Sequence, residues 1–380
     1  MNQIHRRKIE KLIAELCPNG VGFKALGEVA EVGTGSSNGN EGIENGKYPL
    51  YVRSKFIKSI DTFEFDEEAI VIPGEGGVGE IFHYVSGKYA LHQRAYRIHF
   101  TNPKILTRFA YYYLFANFLP YILKKSVNAT VKSIRKPMIE DFKIPLPPLA
   151  IQEEIVKILN SFTELEAELE AELEARKKQY EHYRSMLLTF NDMGGVRWAT
   201  LDELCLSITA GGDLPENYLK GQNMPTKEFP YPIYSNGTDE SALYGYTDGY
   251  KIDREAVTIS ARGTIGYHAV HEAKFTPIVR LLTLIVNTEF VTSKFLNYAL
   301  DITAIGHSGG SIPQLTVPNV KKIKIPVPPL AEQERIVTIL DKFNALVNDI
   351  SIGLPAELDA RRSQYKYYRV KLLTFNEYAH

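Results

Sequence analysis

The sequence predicts an α+β protein built twice: two mixed α/β regions separated by two long antiparallel helices that pair as a coiled coil, with a pseudo-two-fold internal repeat. Three observations predict it. IPLPPLAIQEEIVKIL at 144–159 returns as IPVPPLAEQERIVTIL at 325–340, and ARKKQYEHYRSMLLTF at 175–190 returns as ARRSQYKYYRVKLLTF at 360–375. The matched blocks place apolar residues in steps of three and four, the pattern of a helix buried along one face. The roughly 130 residues ahead of each block diverge, and read as short strands alternating with Gly/Asn-rich loops.

The elements follow in order. The opening MNQIHRRKIEKLIAEL is charged and amphipathic, which predicts a short helix and no secretory signal. Spacing back from Phe23 and Trp198 aligns it with the end of the first matched helix, so the chain looks almost cyclic, with its N-terminal helix near its C-terminal one. The divergent regions echo each other weakly: FKALGEV (23–29) with WATLDEL (198–204), YPLY (48–51) with YPIY (231–234), and AIVIPGEGGVG (69–79) with AVTISARGTIG (256–266). Strand-like runs (AIVIPG, YRIHF, AVTIS, LLTLIV) precede one helical stretch per copy, LTRFAYYYLFANFLPYIL and TSKFLNYALDITA.

Pro147-Pro148 and Pro328-Pro329 cannot lie inside a helix, so they fix an extended approach to each matched block. In the first block Ile155, Leu159, Phe162, Leu165, Leu169, Leu173, Arg176, Tyr180, Tyr183, Leu187 and Phe190 make one continuous seam. Ile336, Leu340, Phe343, Leu346, Ile350, Leu354, Leu358, Arg361, Tyr365, Tyr368, Leu372 and Phe375 repeat it, with a local break expected at Gly353 and Pro355. About 40 residues make a rod of roughly 60 Å. A rod that long with one apolar seam needs a partner, and the other copy is the nearest candidate. Within the first rod ELEA occurs three times in succession, from Glu164 to Ala175. Four residues slightly exceed one helical turn, so each repeat adds roughly 6 Å and turns the seam by about 40°. Such a run predicts an adjustable spacer.

Composition narrows the function. The formal net charge is −1, so any phosphate-binding surface is local or is completed by a basic partner. Cys17 and Cys205 stand far apart, which excludes a disulfide framework and a Cys-rich zinc site and suits a reducing cytoplasm. No run approaches the ~18 apolar residues of a bilayer span, so a soluble cytoplasmic protein is expected. Enzyme signatures are missing. GEGGVG (74–79) is not followed by Lys-Ser/Thr, and Gly46-Lys47-Tyr48 fails the phosphate-loop pattern at its hydroxyl. Leu146 and Val327 precede the proline pairs, where an amino-methyltransferase motif needs an acidic or amide residue. His92, His268 and His307 read as satisfied structural histidines, and no metal, cofactor or catalytic residue is expected.

Taken together, the duplicated IPLPPL/IPVPPL-A-x-Q-E, the ELEA run, R-x-x-Q-Y-x-x-Y-R-x-x-LLTF, and GGSIPQLT before the second proline block resemble the DNA-specificity subunit of type I restriction–modification systems. KIEKLIAELCPNG and the ELEA-type run resemble the subgroup whose spacer varies by four-residue repeats. The resemblance spans essentially the whole chain. It implies two target recognition domains, each reading half of a split, asymmetric sequence in double-stranded DNA. It also implies docking of two methyltransferase (modification) subunits, to which restriction subunits (motor and endonuclease) add. Catalysis, S-adenosylmethionine and ATP would belong to those partners. The first copy departs from the pattern, with SVNATVKSIRKP (126–137) where the second has GHSGGSIPQLTVP (306–318).

The expected organisation is an N-terminal helix (1–19), a first recognition domain (20–150), a spacer helix (151–192), a second recognition domain (193–331) and a second spacer helix (332–380). Arginine reads guanine edges and Asn or Gln reads adenine, so the DNA contacts are expected among Arg53, Arg94, Lys132, Arg135, Asn236, Arg262, Arg280 and Gln314. Tyr180, Tyr183, Arg184, Tyr365, Tyr368 and Arg369 are the expected partner-subunit contacts. The competing reading is a coiled-coil adaptor whose globular ends bind proteins and show no DNA sequence preference.

Overall fold

In a computed structural model each Pro-Pro pair holds the chain extended, and a long helix begins immediately after it, at Leu149 and at Leu330. The structure describes residues 3–125, 133–190, 196–303, 305, 314–349 and 351–378. The chain folds as two units, Met1–Ala171 with Glu357–His380, and Glu172–Ala356.

In the first unit α1 (Gln3–Leu16) leads to β1 (Phe23–Ala25), the one-turn α2 (Leu26–Val29) and β2 (Ala30–Thr34). β3 (Tyr48–Tyr51), β4 (Lys58–Ile60), β5 (Phe65–Pro73), β6 (His83–Leu91) and β7 (Ala95–Phe100) complete a six-stranded sheet ordered β2-β7-β5-β6-β3-β4. The AIVIP end of β5 is buried on both faces. Ile70 and Ile72 pack under α3 (Thr107–Lys125), while Ala69 and Val71 join Tyr51 and Tyr89 on the other side. α4 (Lys136–Glu140) and β8 (Lys143–Pro145) follow, and β8 pairs antiparallel with β1 before α5 (Leu149–Leu188) begins.

The second unit repeats this plan. β9 (Arg197–Thr200), α6 (Leu201–Leu204) and β10 (Cys205–Ala210) open it, and α8 (Val317–Lys321) and β18 (Lys324–Val327) close it, with β18 antiparallel to β9. Between them lie β11 (Tyr218–Lys220), β12 (Tyr231–Tyr234), β13 (Leu243–Thr247), β14 (Ala256–Ile259), β15 (His268–His271), β16 (Thr276–Pro277), β17 (Leu282–Val286) and α7 (Ser293–Asp301). They form two four-stranded sheets, β10-β17-β14-β15 and β11-β13-β12-β16. The sequence echoes fall on equivalent strands. YPLY (β3) pairs parallel with β6 through Leu50↔Ala90, and YPIY (β12) pairs parallel with β16 through Ile233↔Thr276.

α5 runs unbroken for 40 residues, and the border between the units falls inside its ELEA run. The second matched segment is not one rod with a local break but two helices of 19 residues, α9 (Leu330–Asn348) and α10 (Leu354–Leu372), so the first helix truly ends; Ile350 lies outside the described residues. At the junction Asp349 Oδ1 accepts from the backbone N–H groups of Ser351 (2.7 Å) and Ile352 (3.3 Å). Gly353 then lies so close to α9 that a Cβ there would sit 2.4 Å from the Ala345 carbonyl oxygen.

Within each unit the proline-block helix of one copy meets the tyrosine motif of the other. In the first, Phe162 of α5 stacks on Tyr368 (centroids 5.8 Å) and meets Tyr365 (6.0 Å). Farther along α5, Glu166 accepts from Arg362 (2.7 Å) and Glu170 pairs with the same guanidinium. Rising numbers on α5 meet falling numbers on α10, so the two are antiparallel. In the second unit Phe343 of α9 takes the place of Phe162, stacking on Tyr183 (5.4 Å) and meeting Tyr180 (6.5 Å). The near-cyclic expectation also appears within the first unit. Ile9 and Cys17 are buried with Leu372 and Leu373, and Val21 donates to the Asn376 carbonyl (2.9 Å).

Two glutamines, one in each repeated A-x-Q-E motif, anchor the divergent regions. Gln152 is fully buried; its Oε1 accepts from Leu106 N (2.9 Å), and its Nε2 donates to the carbonyls of Lys104 (2.7 Å) and Pro147 (2.7 Å). Gln333 repeats the set with Thr292 N (3.0 Å), Phe290 O (2.8 Å) and Pro328 O (2.9 Å). A second repeated contact links helix to helix. Tyr112 of α3 donates to Asn160 of α5 (2.7 Å), and Tyr298 of α7 donates to Asp341 of α9 (2.7 Å).

Candidate nucleic-acid interface

The Gly-rich loop after the central strand builds one corner of each recognition region. Gly76 (φ +68°) and Gly79 (φ +77°) are left-handed, and the equivalent Gly263 (φ +69°) and Gly266 (φ +87°) keep that geometry, so the glycines serve the turn. A later segment docks on it in both units. Ile134 N donates to Gly74 O (2.8 Å), and Leu315 N donates to Ala261 O (3.0 Å). Register then brings in an arginine. Val71 faces Arg97 and Thr258 faces Thr283, so counting back along the strands puts Arg94 and Arg280 at equivalent places beside the two loops.

In the first unit Glu75 of the loop gathers two of the expected contacts. Arg94 donates to its Oε1 (2.9 Å), and Arg53 forms an ion pair with the same oxygen. Those guanidiniums, Arg94 first, hold the Glu75 carboxyl below the usual carboxylate range. Both arginines remain solvent-accessible, and His92 between them is structural: its Nδ1 accepts from Arg94 N (2.9 Å). Burial and the nearby arginines depress its pKa. Arg135, exposed at the N-cap of α4, joins the corner through the docked segment. Lys132 lies outside the described residues, as do His307 and most of GGSIPQLT.

In the second unit the loop position of Glu75 is held by Arg262, which donates to Gln314 Oε1 (3.2 Å). The backbone at Val279 (φ +52°) and Arg280 (φ +61°) is left-handed, a strained conformation for these residues, and leaves Arg280 exposed. Asn236 does not present a free amide. Its Oδ1 accepts from Ala261 N (2.7 Å) and its Nδ2 donates to Val279 O (2.7 Å). It ties together the two segments that carry Arg262 and Arg280.

The residues expected to face partner subunits largely close their own units. Tyr180 is buried, and Tyr183 stacks on Phe343. Tyr365 is packed on Phe162, with its hydroxyl pushed up to about 12 by burial. Tyr368 stacks on Phe162. Arg184 pairs with Asp301 (3.6 Å), and Arg369 lies over the Phe115 ring (4.7 Å). Tyr180, Tyr183, Tyr365 and Tyr368 thus do what their place in the seam predicts, whereas the spacing did not indicate the partners of Arg184 and Arg369.

A family model described as "Type I restriction modification DNA specificity domain" matches residues 18–175 and, again, 200–360. The chain belongs to this family. A protein named as a type I specificity subunit from Mycoplasma pneumoniae is 32% identical over 82% of this chain and 94% of its own length. One named as a type I restriction enzyme specificity subunit from Haemophilus influenzae is 30% identical over 98% of this chain and 99% of its own. The crystal structure of a type I restriction-modification system S subunit from M. genitalium matches with TM-score 0.60 at 20% identity, over 93% of this chain and 95% of that one, and so shares the fold. Each of the two family matches covers one Gly-rich loop corner and one buried glutamine. Among the described residues no helix is long and apolar enough to cross a membrane, and no group of three or more His, Cys, Asp or Glu could hold a metal ion.

Proposed function

We propose that this chain is the DNA-reading subunit of a type I restriction–modification complex, with residues 20–150 and 193–331 each recognising one half of a split, asymmetric target. The single observation that carries this reading is the twofold family match laid over two copies of one scaffold with different loop chemistry: Glu75 between two arginines in one copy, Arg262 in its place in the other. Matched scaffold with unmatched reading loops is what an asymmetric target requires. Arg53, Arg94 and Arg135 serve one half-site, and Arg262, Arg280 and Gln314 the other, with Asn236 supporting the second set. Residues 151–192 and 332–380 act as spacers, and residues 1–19 close the ring of the first unit.

The subunit is not itself an enzyme. Two methyltransferase subunits and the restriction subunits bind it in the cytoplasm and supply methyl transfer and cleavage. Because the motif tyrosines are packed internally, docking falls to their exposed neighbours, Met186, Tyr367 and Val370. Mapping modified bases in cells that express the chain with its methyltransferase is expected to give one bipartite motif. Arg94→Ala should slow modification through one half-site and Arg280→Ala through the other, each by roughly tenfold or more. An undivided motif, or variants that affect both halves alike, would contradict the reading.

A further inference from the structure

We propose that the loop formed by residues 52–58 is a wedge that enters duplex DNA, with the Phe56 ring stacked against the bases, and that this wedge acts only on the half-site read by residues 20–150. This rests on the DNA-specificity reading above and adds to it the residue that deforms the target.

Phe56 is 71% exposed. With Ile57 beside it (50% exposed), the ring presents apolar surface whose burial against a partner would be favourable. The loop holds it there by design of its turn. Ser54 Oγ donates to Phe56 O (3.0 Å) and accepts from Phe56 N (3.2 Å), His83 Nε2 lies 3.2 Å from Ser54 O, and Lys58 Nζ donates to Gly39 O (2.6 Å). Both ends of the loop are braced while the ring projects.

Charge identifies the occupant. Lys55 Nζ lies 5.2 Å from the Phe56 centroid, Arg53 and Lys58 of the same loop line a neighbouring cleft, and Arg94 shares Glu75 with Arg53. Among the described residues Glu75 is the one carboxylate that ion-pairs with any of the four. In a chain of net charge −1 this is a local concentration of positive charge around a flat apolar group. Cations take phosphates and the ring takes base faces; apolar wedges flanked by basic residues unstack base steps in this way. A cleft of about 460 Å³, lined in part by Val52, Arg53, Ser54 and His92, extends the same surface. The second copy has no counterpart: SNGTDES follows its YPIY, and Asp239 there accepts from Tyr267 (3.0 Å).

The test uses the full chain assembled with its methyltransferase subunits and a target duplex carrying 2-aminopurine in each half-site in turn, away from the base that the methyltransferase flips and methylates. The half-site belonging to residues 20–150 is identified by its sensitivity to Arg94→Ala. With wild-type complex, fluorescence is expected to rise several-fold at that half-site and to stay at the duplex level at the other. Phe56→Ala should return it to the duplex level and weaken binding roughly tenfold while the modified motif stays the same; Phe56→Trp should restore both. Fluorescence that never rises, or a rise that survives Phe56→Ala, overturns the wedge and leaves the specificity reading standing. Phe56→Ala chains that no longer assemble with the methyltransferase would make the ring a protein contact and also overturn it. A wild-type complex with no sequence preference would overturn the specificity reading itself.

Discussion

Tyr112 and Tyr298 hold the same place in the two units, yet their hydroxyls meet different partners. Tyr298 donates to a carboxylate, Asp341, and Tyr112 to the neutral Asn160. Hydrogen bonds to charged groups are the stronger kind, so Tyr298→Phe should destabilise its unit by about 2 kcal/mol and Tyr112→Phe by about 1 kcal/mol. Hydrogen exchange at α7 and α3, respectively, measures the two. His271 gives a pH dependence. It is stacked on Tyr234 (3.8 Å), and burial lowers its pKa to about 4. The unfolded state then binds more protons between about pH 4 and 6.5, so stability is complete above that window and is lost as pH falls through it. From pH 7 to pH 5 the second unit should lose about 2 kcal/mol from this group, and His271→Gln should flatten that part of a denaturation-versus-pH curve. Individual roles at this scale were poorly legible in the sequence. Asn236 has the right chemistry for an adenine reader, but its amide is committed to Ala261 and Val279, segments about 25 and 43 residues away in the chain. Gln152 and Gln333 stand in the repeated A-x-Q-E motif, but their anchoring role was hidden for the same reason: partners lie on other segments, and no spacing rule points there.

The helices were far more legible, because a seam is written into consecutive residues. Ile155, Leu159 and Phe162 are buried as the steps of three and four predicted, and the Pro-Pro pairs start both helices. The same counting carried the second seam through residues 349–353, since apolar spacing does not register where a backbone turns. Gly353 does register it. A side chain there would meet the α9 carbonyls at Ala345 (2.4 Å) and Leu346 (2.7 Å), so Gly353→Ala should cost about 1–3 kcal/mol by overpacking. Circular dichroism melting checks this: the variant should melt lower, and an unchanged melt would mean that the junction is looser than its geometry says. On α5, Glu166 and Glu170 both serve Arg362, so part of the glutamate-rich face is used in pairing within the first unit.

For the whole chain, the duplication was the most legible feature of all, since two blocks of near-identity need no structural knowledge to find. The divergent regions keep a few echoes, and two of them, YPLY/YPIY and the loop glycines, fall on the same parallel strand pair and the same left-handed turn in both units. What changed between copies is the chemistry at the loop corner, where Glu75 gives way to Arg262. The near-neutral net charge agrees with a phosphate-binding surface that is local or completed by partners. Under the proposed function α5 is a ruler between two readers, with ELEA as its unit of length. The most direct measurement is therefore a map of modified bases in cells carrying a chain with residues 168–171 deleted. The prediction is a bipartite motif with both half-sites unchanged and a shorter unspecified gap. An unaltered gap beside intact half-sites would contradict it.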